Sequence, residues 1–256
     1  MPLAFAAAGC GGDSGEETHS ADAAHAHWGY GAEDGPSHWA SLDSDYAVCG
    51  DGKRQSPMNI PSSRASSGDL ATEVDYKPED LYVENNGHAI EAQIQDPNGS
   101  VTVKGTKYEI ERFHFHTPSE EKINGKRFDG SVHIVNTRPD GKTAVIGLLI
   151  KEGPSNPVMD KIVPLIGDTE GDENEAPGQI NPEDLLPASN RAFEFKGSLT
   201  TPPCTQGLEW IVYKQPITMS ADQLDALRAA YSDNIRPNQP VNGRPITVGQ
   251  VASAGQ

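Results

Sequence analysis

Two histidines flank a phenylalanine in Arg112-Phe113-His114-Phe115-His116, and a third follows 17 residues later in Ser131-Val132-His133-Ile134-Val135. In a strand, successive side chains point to opposite faces. Phe113 and Phe115 therefore point into a core, while His114 and His116 share the other face. The stretch 117–130 has room to turn, so the two segments can run as antiparallel neighbours on which all three imidazoles converge. Three neutral nitrogens with one open position form a catalytic zinc arrangement, whereas a fourth protein ligand would mark a structural site. The spacing alone is weak. His25 and His27 repeat it within a polar leader, and solvated or hydrogen-bonded histidines give the same pattern.

The elements that must hold these residues are mostly strands. Strand-like runs cover 81–84, 88–94, 100–104, 107–116, 131–136, 143–151, 191–195 and 208–214. Turn signals separate them, among them Asn85-Asn86-Gly87, Pro97-Asn98-Gly99, Asn124-Gly125, Asp140-Gly141 and Asn242-Gly243. Two helices are expected. Asn156-Pro157 opens one with a cap and a proline at its first position, with Val158, Ile162 and Leu165 on one face and Pro164 shortening it. Ser220-Ala221-Asp222-Gln223 is a capping box for the second, with Leu224, Leu227 and Tyr231 on one face. The acidic stretch 168–188 lacks periodicity and reads as a surface loop. No repeat occurs at solenoid periods.

The chain has 256 residues and a formal charge of −17. That charge argues against nucleic acid as a partner and against docking on anionic lipid through basic residues. The longest apolar runs, such as Leu3 to Ala8 and Ala144 to Ile150, fall well short of the roughly 20 residues a membrane-spanning helix needs. Residues 1–25 read as a signal remnant and flexible acidic leader, and 26–256 as the folded domain. The small residues ending in Ala7-Ala8-Gly9-Cys10 resemble the end of a bacterial lipoprotein signal, with Cys10 as the lipid-bearing residue and hence a membrane tether. The segment before Cys10 has no Lys or Arg and is shorter than a full signal, so an upstream start and a chance match both remain open. With Cys10 set aside, Cys49 and Cys204 are left as a disulfide pair in an exported protein or as two free buried thiols. The export reading places the protein in the periplasm or at the cell surface.

Further segments accompany the histidines: His27-Trp28-Gly29-Tyr30, Gln55-Ser56-Pro57, Asn85-Asn86-Gly87-His88, Leu199-Thr200-Thr201-Pro202-Pro203-Cys204 and Trp210-Ile211-Val212. In this order and with these approximate spacings, the chain closely resembles the bacterial α-class carbonic anhydrases over about residues 26–249. The resemblance implies a mainly β, α/β-mixed single domain. Its centre would be a mostly antiparallel, ten-stranded twisted sheet with short peripheral helices and one catalytic Zn2+ at the bottom of a conical cleft. It implies reversible hydration of carbon dioxide to bicarbonate and a proton by zinc-bound hydroxide, with a histidine proton shuttle. Carbon dioxide, bicarbonate and water would be the substrates, sulfonamides and anions the inhibitors, and a monomer or homodimer the assembly.

Site roles follow from the resemblance residue by residue. His114, His116 and His133 match the zinc ligands. Thr200 matches the gatekeeping hydroxyl and Glu120 its carboxylate partner. Thr200, Thr201, Val135, Val145, Leu199 and Trp210 match the substrate-binding wall, although the apolar members also read as ordinary core. His88 matches the shuttle, and Tyr30 and Asn86 match residues that order the cleft water. Cys49 and Cys204 match the disulfide of exported members.

Three departures lie behind the zinc ligands. Ser131 stands where most members have Glu, and Glu121 stands where they have His. The expectation is an exchange in which Glu121 supplies the carboxylate to His133 that Ser131 lacks; without a replacement, zinc would bind about 10–100-fold more weakly. Arg112 replaces the Gln that usually accepts from His114. Since Arg cannot accept, a backbone carbonyl or water would have to do so. An alternative reading is a catalytically weak or silent relative that binds zinc at the cell surface.

Overall fold

The computed structural model describes residues 26–254. The leader, with Cys10, His19 and His25, lies outside the described residues.

Ten strands form the main path of one large sheet: β1 (Ser66–Ser67), β2 (Asp80–Asn85), β3 (Ile90–Gln95), β4 (Thr106–His116), β5 (Gly130–Thr137), β6 (Thr143–Glu152), β7 (Glu173–Glu175), β8 (Arg191–Ser198), β9 (Gln206–Tyr213) and β10 (Thr247–Gln250). Their spatial order is β7-β2-β3-β4-β5-β6-β9-β8-β10-β1. Neighbours on this path are antiparallel except for β6 with β9 and β10 with β1. Four short strands, Thr72–Asp75, Ser100–Val103, Ile217–Met219 and Ala252–Ser253, pair outside the path. The expected mostly antiparallel sheet is therefore present.

The described residues also form four short helices: α1 (Trp39–Leu42), α2 (Val48–Asp51), α3 (Pro157–Ile162) and α4 (Ala221–Ala230). Asn156 caps α3 by accepting from the Val158 N–H, and the chain tightens into a 3-10 turn at Val163–Leu165, where Pro164 cannot continue the α ladder. Ser220 and Gln223 close the expected capping box on α4. Gln223 also bonds the backbone of Asn156, which ties the two helices together. Two expectations need correction. Tyr231 lies just past α4 with extended backbone, so it is not part of the helix face. The stretch 168–188 is not all loop, because it contributes β7, whose exposed Glu173, Asn174 and Glu175 form an edge strand. Charge on an edge strand discourages further pairing with another chain.

The larger core lies on one face of the sheet. Phe113 and Phe115 on β4, Val132 and Ile134 on β5, and Ile146 and Leu148 on β6 all belong to it, with Val158, Ile162, Leu224 and Leu227 from α3 and α4. A bulge decides which residues of β4 face this core. Pairing with β5 shifts between Ile110 and Arg112, leaving Glu111 as the extra residue. Before it, Tyr108 and Ile110 are buried; after it, Phe113 and Phe115 are. Arg112, His114 and His116 consequently share the opposite face. A second core of Val145, Phe193, Phe195, Trp210, Val212, Met58 and Ile60 includes residues of that face.

Candidate metal centre

Strand register builds the site. His114 on β4 pairs directly with His133 on β5, and His116 pairs with Ser131. Ring centroids lie 4.6 to 5.3 Å apart among the three histidines. One nitrogen from each falls within 4.8 Å of the others. Two of the remaining nitrogens have hydrogen-bond partners. His116 Nδ1 lies 2.7 Å from the Asn234 carbonyl, which can only accept, so the proton sits on Nδ1 and Nε2 carries a free lone pair. His133 Nε2 lies 3.1 and 3.2 Å from the two Glu121 oxygens, leaving Nδ1 to face its neighbours. Glu121 has thus taken up the position behind His133. Ser131 instead accepts from the Glu120 N–H through its hydroxyl.

A metal cation fits this set. His116 Nε2 is buried without a hydrogen-bond partner, an arrangement that costs free energy unless a ligand satisfies it. Burial, reinforced by neighbouring rings, pushes His114 and His116 well below the usual imidazole range, so both are neutral and ready to donate. Burial also opposes charge on His133, but Glu121 outweighs it and raises its pKa. Glu120 and Glu121 are both buried carboxylates beside these rings. Burial, with Glu121 alongside, pushes Glu120 up to about 7 against the opposing pull of His133. A dication would relieve both the orphan His116 nitrogen and this crowding of negative charge.

Glu120 is fixed from behind. Its Oε1 accepts from the Arg236 N–H at 2.8 Å, while Oε2 lies 3.5 Å from His116 Nε2. The Thr200 hydroxyl is close enough to favour the charged carboxylate. The loop carrying Thr200 and Thr201 is held at several points. Leu199 N–H donates to the Thr205 carbonyl, and Trp210 Nε1 donates to the Ser198 carbonyl. Cys204, at φ +58° in the left-handed region, closes a turn onto Thr201 and forms the disulfide with Cys49, with a Cα–Cα distance of 5.1 Å. The buried Arg236 guanidinium binds the carbonyls of Cys49 and Ser56 and the side chain of Gln55, which itself donates to the Cys204 carbonyl. One residue thus links the Glu120 support to the disulfide.

The cleft above the histidines has a volume of about 190 Å³ and is lined by Trp28, Tyr30, Asn86, His88, Glu91, Arg112, His114, His116 and Thr201, together with Ala89. Val135, Val145 and Trp210 pair in register across β5, β6 and β9, forming a continuous apolar row that ends on Phe195, whose ring stacks with Trp210. Leu199 packs against the same cluster. Gly147 pairs with His133, and a Cβ there would lie 3.2 Å from Val212 and 3.6 Å from the Trp210 ring. Its missing side chain leaves room for the edge contact between Trp210 and His133, 4.9 Å between centroids. His88 sits at the rim, stacked 3.8 Å from Trp28 with Nε2 2.8 Å from the Trp28 carbonyl. The exposed His27 ring lies 6.0 Å from it. Asn86 caps this turn by accepting from the His88 and Ala89 N–H groups. Burial and the Glu120 charge hold the Tyr30 hydroxyl well above its usual pKa, so it remains a donor.

Several of these residues escape a reading of the sequence. The Asn234 carbonyl and the Arg236 amide are backbone groups, which any residue supplies. Glu91 enters only through the pairing of β3 with β4, where it stands opposite His114. A hint existed in the strand-like alternation of 88–94, which puts Glu91 on the opposite face from the buried Ile90 and Ala92.

Three imidazoles converge beside a buried carboxylate on a large open sheet, a set that could hold a metal ion. Residues 34–250 match the family model described as eukaryotic-type carbonic anhydrase. A carbonic anhydrase of Neisseria gonorrhoeae is 37% identical over 224 residues, covering 87% of this chain and 88% of the relative. Among solved structures, the α-carbonic anhydrase of Thermovibrio ammonificans in complex with sulfanilamide matches with a TM-score of 0.84 and 40% identity, over 88% of this chain and 99% of that one. Dioscorin complexed with ascorbate matches at 29% identity with a TM-score of 0.81, over 88% of this chain and 98% of that one. The chain belongs to the α-type carbonic anhydrase family, and is an enzyme of that type.

Proposed function

We propose that the protein catalyses the reversible hydration of carbon dioxide to bicarbonate and a proton, with one zinc ion held by His114, His116 and His133. The observation that carries this reading is the convergence of three nitrogens within 4.8 Å, two of them backed by Asn234 and Glu121. Zinc held there would supply a Lewis acid that makes hydroxide available near neutral pH, the chemistry established for carbonic anhydrase as a class.

The chain's own groups do the rest. Glu120 accepts from the Thr200 hydroxyl, which leaves Thr200 only lone pairs to offer the reacting group. It therefore selects and orients a group that can donate a hydrogen bond to it. The row of Val135, Val145 and Trp210, with Leu199 beside it, accommodates a small uncharged substrate without competing for its oxygens. Thr201 lines the cleft above the histidines. Tyr30 and Asn86 order water toward His88. Because the Trp28 carbonyl can only accept, neutral His88 carries its proton on Nε2 and presents Nδ1 to receive another. It then releases a proton at the rim. Inhibition by sulfonamides and anions is part of this proposal, the sulfonamide part supported by the likeness to the Thermovibrio enzyme in complex with sulfanilamide. The disulfide supports export to an oxidising compartment, the periplasm or cell surface, with Cys10 as a lipid tether.

Stopped-flow carbon dioxide hydration with and without a chelator tests the reading. Turnover that disappears on zinc removal and returns on zinc addition is expected. A folded, zinc-loaded protein without turnover would instead favour a silent zinc-binding relative.

A further inference from the structure

Each histidine that ligates a metal through one nitrogen presents a protonated nitrogen behind it, and that group needs an acceptor. Asn234 and Glu121 serve His116 and His133. His114 Nδ1 is buried with no hydrogen-bond partner, and Arg112, two residues earlier on the same face, has only donors. The nearest carboxylate belongs to Glu91 on the adjoining strand. Its Oε2 lies 3.6 Å from His114 Nδ1, just beyond hydrogen-bond reach, and accepts from Arg112 Nε at 2.9 Å. Its Oε1 accepts from Gln93 at 2.6 Å. Arg112 is pinned on its other side by Glu111. A carboxylate oxygen has two lone pairs, so Oε2 can serve Arg112 and His114 together.

Resting on the zinc-site reading above, we propose that Glu91 is the acceptor behind His114, and that Arg112, clamped between Glu91 and Glu111, is the positioning residue that holds this carboxylate. The chain thereby moves an acceptor from the strand of the ligand to the neighbouring strand, as it moves one from position 131 to Glu121. Two of the three ligands are then backed by carboxylates.

The test measures the zinc dissociation constant of the full-length protein by competition with a chromophoric chelator. Glu91→Ala should weaken zinc binding about 10–100-fold, and Glu91→Leu, which keeps the bulk, should do the same. Glu91→Gln should stay within a few-fold of the parent, because glutamine still accepts. Adding Arg112→Gln to Glu91→Ala should recover most of the loss, since glutamine beside His114 can accept where arginine cannot. Unchanged affinity in Glu91→Ala and Glu91→Leu would overturn the proposal. So would a loss that Arg112→Gln fails to recover, since Glu91 would then act only as a strut for the strand. Thermal unfolding of the metal-free variants separates misfolding from loss of the acceptor, and Glu91→Leu decides the matter where Glu91→Ala does not fold. Tight zinc binding by the parent tests the zinc-site reading separately.

Discussion

The two faces of β4 and β5 share a backbone and differ in almost everything else. One carries Phe113, Phe115, Val132 and Ile134, packed into the larger core. The other carries Arg112, His114, His116, Ser131 and His133, whose register sets one imidazole directly across from another. The core face makes the strands rigid and the cleft face uses that rigidity. Three imidazoles held by a sheet need no reorganisation to meet a cation, whereas loop-borne ligands would have to be ordered at binding. The cleft face is itself divided. Toward β3 its rows end in Glu91, Gln93 and Arg112, and toward β9 and β8 they end in Trp210, Val212, Phe193 and Phe195. Charged side chains therefore sit on one side, with an apolar surface on the other.

Substitutions on opposite faces of one strand should separate activity from stability. His116→Ala removes a cleft-face ligand, and hydration turnover should fall by about three orders of magnitude or more, several kcal/mol of transition-state stabilisation. Its metal-free form should unfold at nearly the parent denaturant concentration. Phe113→Ala, three residues away and fully buried, should cost about 3–5 kcal/mol in urea unfolding. The fraction still folded and zinc-loaded should keep kcat/KM within a few-fold of the parent. A Phe113→Ala enzyme that stays stable but loses turnover would erase the distinction between the faces.

A smaller effect sharpens the cleft side. Glu121→Ala should weaken zinc about 10–100-fold, read by chelator competition. Adding Ser131→Glu should restore part of the loss, because it returns a carboxylate to the cleft face near His133. Failure of that rescue would mean that Glu121 acts through the loop rather than through the ring. The smallest effect lies away from both faces. Ser220→Ala deletes the α4 cap and should cost about 1 kcal/mol of stability with no change in zinc affinity.

Much of this was legible in the chain itself, for identifiable reasons. The alternation around Phe113 and His114 gave the two faces, the loop between His116 and His133 allowed the pairing, and Ser220 with Gln223 marked a helix start. The pair of departures at Glu121 and Ser131 pointed to an exchange, and Glu121 Oε2 lies 3.1 Å from His133 Nε2. The bulge at Glu111 was not legible, because either strand parity satisfies the local pattern until the partner strand is known. Glu91 required the register between two strands, a relation no single segment contains. The supports from Asn234 and Arg236 come from backbone atoms, which leave no mark in residue identity. The edge strand β7 was hidden because its three polar residues bury nothing.

We propose that one zinc ion, held by the three histidines on the cleft face, is what makes the protein an enzyme. Titrating zinc into the metal-free protein while following carbon dioxide hydration addresses it directly. Turnover should rise linearly and reach its plateau at one zinc per chain. Turnover in the metal-free protein, or a plateau reached only at two zinc ions per chain, would contradict it.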